Sequence, residues 1–163
     1  MGESAFLHSL NFARYVLHAL FTPLLILFAW RTLARSRILW AGKSVTVWLA
    51  IILTAGAILL ELVTEVRGIS LKPVWKNGVL SYEKAERSGI PPLMILIVTT
   101  IMFVTSIIIW RKQKWPVYFL GVASMGAAPL IQHVMKTDAA HNITEFLLMS
   151  ALLATRVRQQ KKR

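Results

Sequence analysis

The chain has 163 residues, 56% of them hydrophobic and 16% charged, with a formal net charge of +12. That balance is too apolar for an ordinary soluble domain and leaves room for one compact bundle and no separate soluble unit. The lack of cysteine excludes disulfides, thiolate metal ligands and cysteine nucleophiles, and in so apolar a chain the positive charge sets membrane orientation rather than nucleic-acid binding.

The apolar residues fall in blocks, several near the roughly 20 residues that a helix needs to cross a bilayer. The first predicted span covers residues 12–30. No Lys or Arg precedes it, so it reads as a retained helix rather than a cleaved signal. A basic loop follows, with Arg31, Arg35, Arg37 and Lys43. The second span covers residues 45–66, and a long polar segment, residues 67–90, comes next. Within it, Asn77-Gly78 separates two short apolar and aromatic runs between Val74 and Tyr82. Asn-Gly suits the positive φ angles of a two-residue hairpin turn, and a plain loop is the alternative.

Pro91-Pro92 opens the third span, residues 91–110, because proline is tolerated where the helical N–H has no partner. Arg111, Lys112 and Lys114 make a basic turn before the fourth span, residues 116–135. The fifth span, residues 139–155, is the shortest and most polar, and a basic tail closes the chain. The predicted fold is thus all-α, an integral membrane bundle of five transmembrane helices.

Charge orients it. The first loop, the third loop and the tail hold twelve Lys or Arg and no acid; the opposite side holds the other seven bases and all seven acids. The positive-inside rule then puts the N-terminus outside and the C-terminus in the cytoplasm, in the cell membrane. Trp30, Trp40, Trp48, Trp110 and Trp115 lie near the basic side, as an interfacial belt would.

Ionisable residues inside or at the edge of membrane helices are costly unless paired or hydrated, so each one is informative. Arg14, His18 and Thr22 share a helix face at four-residue spacing, ahead of Pro23, which removes a backbone bond and is expected to kink the helix. Glu61 and Glu65 share another face. Gln132 and His133 follow Pro129; Asp138, His141, Asn142 and Glu145 come next, with Asp138 suited to cap the fifth helix. All of these fall toward the outer half. The distribution predicts a pocket open to the outer face rather than a polar path through the membrane. His18, Glu61, His133 and Glu145 are expected to line it as the candidate catalytic residues. Arg14, Glu65, Asp138 and His141 would stand at its rim, with Trp75 and Tyr82 near its mouth.

Such groups allow several chemistries. Histidine nitrogen and carboxylate oxygen suit a divalent metal such as zinc, with His18, Glu61, His133 and His141 as candidate ligands, although no H-E-x-x-H signature is present. One Glu paired with one His could act as base and acid on a lipid-like substrate entering from the bilayer. His18 and His133 could be axial ligands of a haem. A non-catalytic bundle, serving as a structural or interaction partner of other membrane proteins, or a transport protein, are the alternatives.

Overall fold

The computed structural model describes residues 5–76, 79–85, 93–135 and 139–161. Helix α1 covers Ala5–Arg35, and a short 3-10 turn at Leu39–Gly42 leads into α2, Ser44–Glu61, which continues as a π-helical turn over Leu62–Val66. Strands β1, Leu71–Lys76, and β2, Val79–Lys84, follow. Helices α3, Leu93–Gln113, α4, Val117–Met135, and α5, Ala139–Lys161, complete the order. Three helices are long and apolar enough to cross a membrane: Phe6–Arg35, Ser44–Val66 and Leu93–Gln113. They mark the chain as a membrane protein.

The helices outrun the apolar blocks that signal them. α1 has 31 residues, about 46 Å at 1.5 Å per residue, against a hydrocarbon core of about 30 Å. Its first turns therefore project beyond the apolar layer. It runs through the buried Pro23 as one helix. α5 continues past residue 155 to Lys161, so that the basic residues expected in a tail stand on its last turns.

What each helix buries is the reverse of a soluble protein. On α2 the buried stripe is Ala50, Thr54, Ala57 and Glu61, spaced by four, three and four residues along one face. Trp48, Leu49, Ile52, Leu59 and Val63 point outward. On α5 the stripe is Thr144, Leu148, Ala151, Thr155 and Gln159, while Phe146 is 71% and Leu153 65% exposed. Small residues inside let backbones approach, and large apolar ones outside suit lipid. The buried hydroxyls of Thr32, Thr54 and Thr155 donate to carbonyls of Phe28, Ala50 and Ala151, each four residues back, so they need no cross-helix partner.

The closest packing joins α4 to α5. A Cβ built on Gly121 would lie 2.4 Å from the Cβ of Ala151, so only glycine permits this approach. Between α2 and α3 the hairpin is antiparallel, with Leu71 opposite Lys84, Pro73 opposite Tyr82 and Lys76 opposite Val79. It extends several residues on each side of the predicted 74–82 segment; the Asn77-Gly78 connection itself lies outside the described residues.

Candidate functional site

The period of two along β2 puts Tyr82 and Lys84 on one face of the hairpin. That face meets the first half of α1 and the end of α2. Lys84 Nζ donates to Glu65 Oε2 in a half-buried ion pair. The same ammonium stands 5.4 Å from the centre of the Tyr15 ring, within cation–π range. The ring of His8 meets Tyr82 edge-on at 5.7 Å. His8 is on the part of α1 that projects past the apolar layer, which is how the helix reaches the hairpin.

Glu61 lies one turn of α2 before Glu65 and is only 6% exposed. The π turn begins directly after it, with Arg67 N–H donating to Leu62 O across five residues at 2.8 Å. Such turns inside helices concentrate at functional sites. Burial holds Lys84 below the ordinary lysine value of 10.5, and the Glu61 carboxylate opposes that shift, so both acids act on this one base. Tyr82 is 3% exposed, and its hydroxyl is buried without a hydrogen-bond partner among the described residues. A buried unsatisfied hydroxyl is uncommon and calls for a reason.

The structure joins some of the sequence-predicted residues and not others. Glu61 and Glu65 share the Lys84 neighbourhood, and Tyr82 lies on the same hairpin face as Lys84, against His8. His18 is exposed, with its Nδ1 3.2 Å from Thr22 Oγ1, away from the buried line of Ala19, Pro23 and Ile26. Arg14 is exposed too, and Glu145 is half-buried on α5. The side chains of Gln132, His133 and His141, and all of Asp138, lie outside the described residues. Among the described residues no three His, Asp or Glu side chains gather as a metal site.

Two sets of interacting side chains were not legible in sequence. Tyr15 and Lys84 meet Glu65 at the hairpin, yet neither stands out: Lys84 is one base in a mixed polar loop. The only signal is its two-residue spacing from Tyr82. The second set is at the basic end. Gln113 Nε2 donates to Ser36 Oγ at 2.9 Å, and Gln159 Nε2 is 3.2 Å from both Ser36 Oγ and Thr32 O. These bonds tie α1, α3 and α5 together. Nearby, Trp115 Nε1 donates to Thr155 Oγ1 at 3.2 Å, and the Arg158 guanidinium lies 4.2 Å from the Trp115 ring centre. Uncharged glutamines escape a search for ionisable residues.

Comparison with protein-family models, curated proteins and solved structures finds no match to this chain.

Proposed function

We propose that the chain crosses the cell membrane five times, with its N-terminus outside and its tail in the cytoplasm, and binds the charged head of a lipid-like molecule beneath the hairpin. Support for the fourth and fifth crossings comes from α5, which buries Thr144, Thr155 and Gln159 beside Leu148, Ala151 and Leu152 while Phe146, Met149, Leu153 and Val157 face outward. In water that arrangement would expose the wrong side of the helix; in lipid it is the favoured one.

The observation that carries the binding reading is the ratio of acids to bases at the outer site. Among the described residues Glu61 and Glu65 face one lysine, Lys84. Their formal charges leave one carboxylate uncompensated, so the cluster favours a second cation. A primary-amine head, such as that of phosphatidylethanolamine, supplies an ammonium for the carboxylates and a phosphate for Lys84 and the Tyr82 hydroxyl. Its chains remain in the bilayer beside α1 and α2. Glu61 anchors this site, and His18, His133 and Glu145 are the further acid–base groups that a reaction on such a ligand would draw upon.

A second reading has its own observation. The Lys84–Glu65 pair also fastens the hairpin to α2, and a fastening alone would make the cluster structural. Thermal unfolding of the purified chain in detergent separates the two. Added phosphatidylethanolamine should raise the melting temperature and phosphatidylglycerol should not, and Glu61→Gln should remove that difference while remaining folded. Equal response to both lipids in the unmodified chain, together with unfolding of Lys84→Met, would leave the cluster as a fastening only.

A further inference from the structure

An open groove of about 570 Å³ runs along the second half of α5, with Trp115 of the α3–α4 link at its end, at the opposite end of the bundle from the hairpin. Leu153, Ala154 and Val157 line its apolar part, and Trp115, Arg158 and Lys161 line its end. On α5 these positions recur at three and four residues, so they form one continuous stripe. The stripe changes from apolar to basic as the helix approaches its C-terminus.

We infer that this groove holds an anionic phospholipid of the cytoplasmic leaflet, its phosphate at Arg158 and Lys161 and an acyl chain along Leu153 and Val157. The inference rests on α5 crossing the membrane, as proposed above. Three observations select this occupant. Among the described residues two cations and no carboxylate line the groove, so it complements an anion. Arg158 is held over the Trp115 ring, and that ring is itself fixed by its bond to Thr155, so the guanidinium is positioned rather than free to follow solvent. Leu153 and Val157 stay exposed directly beside these groups, where a chain attached to that phosphate would lie. Basic pockets between membrane helices at the cytoplasmic side are suited to acidic lipid heads.

Native mass spectrometry of the full chain released from detergent tests this with defined lipids. Phosphatidylglycerol should be retained in preference to phosphatidylcholine. Arg158→Gln with Lys161→Gln should lower that retention roughly thirtyfold. Arg111→Gln with Lys112→Gln, which removes two bases outside the groove, should leave it unchanged. Millimolar inorganic phosphate should not displace the lipid; displacement would mean a free-anion site and overturn the assignment. Equal loss in both double variants would overturn it too, because basic charge anywhere at this end would then suffice. A Leu153→Cys chain identifies which premise has failed. If that thiol is shielded from a water-soluble maleimide in vesicles and phosphatidylglycerol is still not retained, the groove assignment alone is wrong. If the thiol is labelled, α5 does not cross and both fall.

Discussion

Lys84, the last residue of the hairpin's second strand, pairs with Glu65 in the π turn that ends α2, nineteen residues earlier in the chain. This contact closes the polar segment back onto the helix from which it leaves. It also places the lysine where a second acid, Glu61, acts on it.

The first consequence is a pH dependence. Burial lowers the Lys84 pKa from 10.5, and Glu61 raises it. Between the lowered folded value and 10.5, the unfolded chain holds this proton more tightly than the folded one. The group's contribution to stability therefore rises with pH across that window, and below it charged Lys84 carries a constant cost. Amine-modifying reagents followed by peptide mapping should show Lys84 deprotonating below the ordinary lysine range. Glu61→Gln removes the opposing charge and should move its titration further down. An unchanged or upward shift would show that Glu61 does not act on Lys84.

Tyr82→Phe separates stability from binding. Burying an unpaired hydroxyl costs about 1–3 kcal/mol, so its removal in the ligand-free chain should be neutral or stabilising in chemical unfolding. The same change should weaken the response to phosphatidylethanolamine, because the hydroxyl is a proposed donor to its phosphate. Destabilisation without ligand would mean that the hydroxyl has a partner in the folded protein.

Gly121 tests the packing that holds α5 in place. Gly121→Ala forces a methyl into contact with Ala151 and should destabilise the α4–α5 pair by about 1–3 kcal/mol. Ala151→Gly in the same chain removes the opposing methyl and should restore most of the loss. Equilibrium unfolding in mixed detergent micelles measures both. A neutral Gly121→Ala would show that the two helices are further apart.

The helical character of the chain was legible because long apolar blocks leave few alternatives, and α1, α2 and α3 are the blocks with least charge. The hairpin was legible from Asn77-Gly78, whose flanking runs pair as strands. Helix ends were not, since hydropathy marks where lipid touches a helix and not where its hydrogen bonds stop. α1 therefore begins seven residues before the predicted 12, at Ala5, and brings His8 to Tyr82. Glu61 was legible as a polar residue surrounded by leucines, and it is buried. His18 has the same kind of sequence signal, but it is Ala19, the next residue and about 100° further round the helix, that faces the bundle, and the His18 side chain is exposed. Which polar residues face inward depends on helix rotation, and that is set by neighbours such as Gly121 and Ala151, far away in sequence. Lys84 and Gln159 act through partners on other elements, so local pattern alone could not have found them.

Both proposed sites require that the hairpin and the end of α5 lie on opposite faces of the membrane, and the chain's lack of cysteine makes this directly measurable. Single substitutions Trp75→Cys and Gln160→Cys, at exposed positions, each give one reactive thiol. In intact cells, an impermeant maleimide should label Trp75→Cys, and should label Gln160→Cys only after the membrane is permeabilised. Labelling of both thiols in intact cells, or of neither until permeabilisation, would put them on one side and contradict the five-crossing bundle with its outer and inner sites.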